Sequence, residues 1–325
     1  MLTEYIDSVE RAAKIIRDGG LVAFPTETVF GLGVDATNSD AVAKLFEAKG
    51  RPSNNPLIVH LDDGGHWSRA AAELPLVANA LLDAFCPGPL TVVLPKLSDI
   101  SDLVTAGLGT VGVRVPDHPI AREILRIAGV PVAAPSANRS GRPSGTTWQS
   151  VAEDLDGRID AIFTADSSSI GIESTVVDCS GPNPVVLRPG AITLEQLQQI
   201  APKTEDFGTG ERHRVALSGK QLNSPGILHP HYQPSAEVII VEVLPTELSI
   251  DISTASAFCG IECGAAVDAF AMIKVFASLE DYAAGFYEFL REVDRRSFTK
   301  VFVQAAPNEG IGRALRDRQR RAAGG

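Results

Sequence analysis

The segment "GLGTVGVRVPDHP", residues 107–119, places Gly107, Gly109 and Gly112 at G-x-G-x-x-G spacing. In a dinucleotide-binding fold a strand precedes that spacing and a helix opens out of it, so that the pyrophosphate rests on the helix N-terminus. Here the third glycine lies inside the apolar, β-branched run Val111 to Val115. The segment reads as a strand entered through glycine, with a charge, Arg114, inside it. A dinucleotide fingerprint is therefore set aside. The pattern G-x-x-x-x-G-K-[ST] is also absent, so a nucleotide would be held by something other than a glycine-rich phosphate cradle.

On either side of this strand, apolar runs recur at Leu21 to Phe24, Leu57 to Leu61, Thr91 to Leu94, Val130 to Ala134, Ile159 to Phe163, Thr175 to Val177 and Val185 to Leu187. Helical spacing appears at Ser8 to Asp18, Ala41 to Ala48, Leu74 to Phe85, Pro119 to Ala128, Trp148 to Leu155 and Leu194 to Ala201. The alternation predicts an α/β class with a twisted mixed sheet over residues 1–205. "GGLVAFPTETVFGLG" is expected to be a turn, one short strand and a hydroxyl-rich loop, and Lys49 and Arg51 are expected just past a helix that stops at Gly50. Residues 206–236 turn polar and irregular and end in "SPGILHPHYQP". They are too long and too particular in composition for a plain tether. Residues 237–325, with strands at Val238 to Val243, Ile273 to Phe276 and Lys300 to Val303 and helices at Leu279 to Arg296 and Ile311 to Ala323, predict a small Rossmann-like parallel α/β domain.

The whole chain, 325 residues with 44% hydrophobic and 21% charged side chains, is long enough for two cores. A net charge of −11 argues against a surface devoted to nucleic acid or anionic lipid. No run reaches the ~18 apolar residues of a membrane span, and the first twenty residues lack a signal-type apolar core, so a cytoplasmic location is expected. Cys86, Cys179, Cys259 and Cys263 are too few and too scattered for a disulfide framework. Cys259 and Cys263 have no second Cys/His pair near them in sequence to complete a zinc site, and small buried thiols are expected instead.

Cations and hydroxyls cluster where strands begin or end. Lys49 and Arg51 precede one strand, Arg188 closes another in "LRPG", and short hydroxyl loops lie at Thr26 and Thr28, at Ser136 and Asn138, at Ser144, and at Ser174 and Thr175. Sheet edges of open α/β folds are where ligands bind. A planar guanidinium matches carboxylate or phosphate, and an ammonium supplies a compact charge, so the set suits a ligand with several anionic oxygens. Taken singly, each such residue is ordinarily a solvated charge or a turn former. Arg114 differs, because a charge inside an apolar strand needs a partner or a wet site. His60, at a strand end, fits a structural histidine as well as a ligand contact. No Ser-His-Asp or Cys-His spacing marks a covalent nucleophile.

In order and spacing, "FPTETVFGLG", "KGRPSNNPLIVH", "GTVGVRVPDHP", "APSANRSG", "GIESTVVD" and "LRPG" closely resemble the threonylcarbamoyl-adenylate synthase family, over about Val9 to Ala201. The linker and trailing segment resemble its two-domain form rather than the single-domain YrdC form. The resemblance implies a YrdC-like catalytic domain and a reaction of L-threonine, bicarbonate and ATP to threonylcarbamoyl-AMP and pyrophosphate, with Mg2+ accompanying the nucleotide. It also implies downstream tRNA threonylcarbamoyl-transfer proteins as partners. Position by position it implies threonine contacts at Thr28, His60, Arg114 and Ser174. It implies ATP contacts at Arg51, Asn55, Thr110, Ser136, Asn138, Ser144 and Arg188, with Lys49 and Arg51 as the catalytic cations. No metal ligand from the protein is implied. His231 and Tyr232 match a pair expected to fold over the pocket and touch the nucleotide, making the linker a lid. Ala134 and Phe30 depart from the Ser/Thr and Tyr usual in relatives.

Two other readings remain open on sequence. One keeps the pocket but makes a carbamoyl adenylate, as in related domains of hydrogenase-maturation proteins, whose accessory Cys-rich modules are missing here. The other is an RNA-binding module built on "GIGRALRDRQRRAA", where Arg313, Arg316, Arg318, Arg320 and Arg321 crowd the last helix. Cations near a helix C-terminus are also favoured by its dipole, so a solvated helix face is expected there.

Overall fold

A computed structural model describes residues 2–206, 231–242, 256–262 and 270–324 of the chain. The first domain opens with β1 (Glu4–Ile6), α1 (Val9–Arg17), β2 (Val22–Phe24), β3 (Gly31–Asp35), α2 (Ser39–Lys49) and β4 (Ile58–His60). It continues through α3 (Leu76–Phe85), β5 (Leu90–Pro95), α4 (Asp102–Thr105), β6 (Thr110–Arg114), α5 (Pro119–Ala128) and β7 (Val132–Ala133). It closes with α6 (Trp148–Leu155), β8 (Ala161–Phe163), β9 (Thr175–Asp178), β10 (Val185–Arg188), α7 (Leu194–Ile200) and β11 (Glu205–Asp206).

The strands form one eleven-stranded mixed sheet in the order β1-β8-β2-β3-β7-β4-β6-β5-β9-β10-β11. Side chains alternate along β2: Val22 and Phe24 join the core under α1 and α5, while Ala23 joins the core on the other face, with α2, α3 and α6. Helix layers thus cover both faces. Local chemistry sets the helix limits. Ser8 caps α1 by accepting from the Arg11 amide, Pro119 opens α5, and Gly50, at φ 60°, ends α2 in the left-handed conformation glycine tolerates.

The sequence reading departs from this frame in several places. α2, expected from Ala41, starts at Ser39 with the Asn38 side chain as its cap, and Lys49 is its last residue instead of lying beyond it. Gly31 to Gly33, expected as the end of a loop, run with Val34 and Asp35 as a strand between β2 and β7. The short β1 and β11, and a strand over Ser256–Gly260 in the second domain, were not expected.

The described part of the second domain contains β12 (Glu237–Val241), β13 (Ser256–Gly260), β14 (Met272–Val275), α8 (Leu279–Arg295), β15 (Lys300–Gln304) and α9 (Gly310–Ala322). The four strands are all parallel, in the order β12-β15-β13-β14. Phe258, Phe270 and Phe302 pack on one face. On the other, α8 and α9 bury Tyr282, Phe286, Tyr287, Leu290 and Leu315. Cys259 is a buried thiol here, as Cys179 is in the first domain. Cys263, Val243 and residues 207–230 of the expected linker lie outside the described residues. Among the described residues, no helix is long and apolar enough to cross a membrane.

The two domains share a core. Val29 and Ile172 of the first sit in the apolar cluster of the second. Across the seam, buried Arg291 of α8 pairs with buried Asp154 of α6 at 2.8 Å and donates to the Pro143 carbonyl at 2.6 Å. The side chains of both ions are almost wholly desolvated, a state tolerated only when each is paired.

Candidate active site

Strand ends converge on one hollow. β4 ends at His60, which is in register with Arg114 at the end of β6. β9 starts directly after Ser174, and β10, antiparallel to it, ends at Arg188. The "FPTET" turn follows β2, and Arg51 follows the left-handed cap of α2. The resulting cleft is lined by Thr28, Arg51, His60, Arg114, Ser136, Asn138, Ser174, Arg188, His231 and Tyr232, together with Thr26, Glu173 and a few apolar residues.

The three cleft arginines are anchored alike. Arg51 donates through Nε to the Asn55 carbonyl at 3.1 Å and through Nη2 to the Pro56 carbonyl at 2.8 Å. Arg114 donates through Nε to the Gly88 carbonyl at 3.4 Å and through Nη2 to Glu27 Oε1 at 2.6 Å. Arg188 spends Nε and Nη2 on the Ser174 carbonyl at 3.1 and 3.0 Å, and Nη2 also reaches Ser174 Oγ at 3.1 Å. In each, Nη1 has no hydrogen-bond partner among the described residues. Backbone carbonyls hold all three guanidinium groups still, helped by Glu27 at Arg114 and by the Ser174 hydroxyl at Arg188, and the Nη1 donors stay available to an anion in the cleft. Burial draws Arg51 down to about 10, with Arg188 adding repulsion, and it stays charged at neutral pH.

Lys49 behaves differently from Arg51. Its ammonium is buried and donates to the carbonyls of Ser136 (2.6 Å) and Asn138, tying the end of α2 to the "PSAN" loop behind the cleft wall. Burial, then the nearby Arg51, holds its pKa well below the usual lysine range. In the same loop Ser136 Oγ donates to Asn138 Oδ1 at 2.6 Å, and Asn138 Nδ2 donates to the carbonyls of Arg139 and Arg142. Thr28 shares a 2.9 Å hydrogen bond with Thr26, whose hydroxyl closes the turn on the Val29 carbonyl.

Asn55, Ser144 and Thr110 also fall outside the lining. Asn55 is buried beside it, its Nδ2 3.3 Å from His231 Nε2. Ser144 is fully buried and donates to Glu173 Oε1 at 2.6 Å. Thr110 starts β6, roughly 13 Å along the strand from Arg114 at the usual rise per residue.

Two carboxylates escaped the sequence reading. Glu27, inside "PTET", forms the buried pair with Arg114, and its Oε2 has no hydrogen-bond partner among the described residues. Glu173, inside "GIES", accepts from Ser144, from the Tyr287 hydroxyl at 2.9 Å and from Arg318 Nε at 2.9 Å. Burial alone would raise the Glu173 pKa, but Arg318 and Arg188 hold it at about 2. The available signal was an acid next to a hydroxyl residue in a loop at a strand end: Glu27 between Thr26 and Thr28 after β2, and Glu173 beside Ser174 before β9. The arginines of α9, expected on a solvated face, are largely engaged. Arg318 is fully buried, Arg313 reaches Glu195 and Asp206 at 3.4 Å, and Arg316 pairs with Glu242.

His60 and His231 are both pushed to about 3, first by burial and then by Arg114 and Arg51 respectively. Both imidazoles are neutral at pH 7. The free value is 6.5, so on acidification the unfolded chain takes up these protons first, and stability falls as pH drops from about 6.5 towards 3. Nitrogen-resolved NMR should show both rings neutral down to pH 5. Titration of either ring near pH 6.5 in the folded chain would contradict the buried environment.

An α/β fold whose strand ends gather three anchored arginines and several hydroxyls around one cleft is that of an enzyme or binder of ligands with multiple anionic groups. Two family profiles match: the Sua5–YciO–YrdC domain, described as "Telomere recombination", over residues 14–190, and "Threonylcarbamoyl-AMP synthase, C-terminal domain" over residues 192–324. The chain belongs to the Sua5–YciO–YrdC family, in the two-domain form. The threonylcarbamoyl-AMP synthase of Bacillus subtilis is 41% identical over 98% of this chain and 93% of its own. Pyrococcus abyssi Sua5 complexed with L-threonine has a TM-score of 0.88 at 36% identity, covering 100% of this chain and 98% of that one. A variant of the same protein with a histidine and the next tyrosine replaced by alanine also scores 0.88 at 36% identity, over 99% of this chain and 97% of that one. The single His–Tyr dipeptide of the present chain is His231–Tyr232.

Proposed function

We propose that the chain is a threonylcarbamoyl-AMP synthase, joining L-threonine, bicarbonate and ATP into threonylcarbamoyl-AMP and pyrophosphate for tRNA threonylcarbamoyladenosine modification. The observation that carries this is the trio Arg51, Arg114 and Arg188, each tethered by two nitrogens and each lining one cleft. Arg114 and neutral His60 suit the amino-acid carboxylate and its surroundings. Arg51 and Arg188 suit the phosphates, and Tyr232 and His231 the nucleoside side.

The chemistry follows from that placement. The threonine amine gives up a proton and captures bicarbonate carbon with loss of water, leaving a carbamate. A carbamate oxygen then bonds to the α-phosphorus as the bond to pyrophosphate breaks. Positioning three anions against their repulsion is the main task, and fixed cations perform it without a nucleophilic side chain. Mg2+ is expected to travel on the nucleotide's phosphates. Glu27 and Glu173 are already engaged by arginines, and among the described residues no group of three or more His, Cys, Asp or Glu could hold a metal ion. No protein ligand set and no step through the metal is proposed. A cytoplasmic site of action and downstream proteins that accept the labile adenylate belong to the same reading.

The match of residues 192–324 to the synthase C-terminal domain favours threonylcarbamoyl over carbamoyl transfer. The α9 arginines paired with acids weaken the RNA-binding reading. The expected result is pyrophosphate release from ATP that requires both threonine and bicarbonate. ATP consumption that needs carbamoyl phosphate instead, or proceeds without threonine, would refute the proposal.

A further inference from the structure

We propose that Arg318 and Tyr287, both carried by the second domain, are positioning residues for ATP: they clamp Glu173 and Tyr232 at the nucleotide end of the cleft, so the second domain is a wall of the active site. The inference rests on the function proposed above and assigns to that site residues from the far end of the chain.

Glu173 and Tyr232 line the cleft, and both are held from behind. Two of the three donors to the Glu173 carboxylate come from the second domain, Tyr287 of α8 and Arg318 of α9. Arg318 also donates to Asp317 and, at 3.0 Å, to the carbonyl of Pro189, the residue after Arg188. Its guanidinium carbon lies 5.7 Å from the centroid of the Tyr232 ring, which also stacks on Tyr287 at 5.1 Å and 30° and leans on the His231 ring at 5.6 Å. Tyr232 has φ 66°, a strained conformation for a side chain of its size, which persists only where surroundings dictate it.

A fully buried ion pair is a weak source of stability, since well-packed apolar residues usually do as well. What the pair supplies is orientation. One planar fork fixes a cleft carboxylate, the backbone beside Arg188 and the face of an aromatic ring together, which a lysine cannot do. Glu173 in turn sits between Arg318 and Arg188 and sets how much positive charge the cleft offers to phosphates. Arg318 is the largest of the influences that offset burial at Glu173, so loosening its grip raises the Glu173 pKa and moves the acid limb of the activity profile up in pH.

The test uses the full chain, with Tyr287→Phe, Arg318→Lys and wild type compared by calorimetry with a non-hydrolysable ATP analogue and by kinetics from pH 5 to 9. Tyr287→Phe removes one hydroxyl and keeps the ring stack, so it decides the matter if Arg318→Lys folds poorly. Nucleotide affinity is expected to fall about 10- to 150-fold in Tyr287→Phe, the range for losing a hydrogen bond to a charged group. The threonine KM should change less than about twofold in either variant, and in Arg318→Lys the acid limb should shift upward. Unchanged affinity and pH profile, or equal losses for threonine and ATP, would overturn the inference. A wild type inactive with threonine and bicarbonate would instead sink the proposed function.

Discussion

Arg51→Ala is expected to slow threonine-dependent pyrophosphate release by about 10²- to 10³-fold, the usual loss when one fixed donor to developing charge is removed. Arg51→Lys should recover only a small part of it. The side chain's contribution is the combination of charge and fixity. Nε and Nη2 are bound to two successive carbonyls, those of Asn55 and Pro56, and that holds Nη1 and its two N–H groups in a defined position. A lysine keeps the charge but offers no planar fork to span both carbonyls, so its ammonium wanders. The carbonyls are left needing water, a loss of about 1 kcal/mol each in stability, which a melting curve separates from catalysis. Burial and the repulsion of Arg188 bring the group to about 10, so the wild-type enzyme should keep this cation through pH 8. A kcat/KM within threefold of wild type in Arg51→Ala would remove Arg51 from the catalytic set.

Where local signals agreed, the fold was legible. α5 and α6 occupy the residues that their periodicity indicated, because Pro119, Gly129 and Thr147 mark the ends chemically. β3 was not legible, since "GLGVD" with two glycines looks like loop. Its reason is tertiary: a Cβ at Gly33 would lie 2.5 Å from the Phe24 ring on the next strand, so the glycine exists to let that ring lie flat across it. "SAFCG" of β13 failed for a similar reason. Ala257 and Cys259 are small and fully buried, and nothing local distinguishes them from a turn.

The cations of the site could be read because a charge beside an apolar strand stands out. Their carboxylate partners could not. Glu27 meets Arg114 from 87 residues away and Glu173 meets Arg318 from 145, separations that carry no local pattern. Lys49 illustrates the converse. Its residue type suggested a ligand contact, whereas its geometry makes it a brace for the Ser136 loop. On α9, one face of arginines could be told from another only once the first domain was packed against it.

Gly171→Ala is expected to destabilise the protein by roughly 2–4 kcal/mol, combining a strained φ with overpacking that backbone atoms cannot relieve. Gly171 has φ +75°, and a Cβ there would lie 2.3 Å from the Ala284 carbonyl oxygen and 2.4 Å from its Cα, in the middle of α8. A flexible side chain could swing aside, but a helix backbone must move as a body. The next residues are Ile172, buried in the second domain's core, and Glu173, so the methyl group acts as a wedge beside the clamp. Gly107→Ala separates the two contributions. Its φ is +77° and nothing lies within 4 Å of the added carbon, so it carries the strain without the clash. The expected order in thermal unfolding is wild type, then Gly107→Ala lower by about 1 kcal/mol, then Gly171→Ala lower still. Only Gly171→Ala should also weaken nucleotide binding, since α8 carries Tyr287. Equal stabilities for the two variants would mean that the seam yields easily and that the domains are not held in the close approach on which the clamp depends.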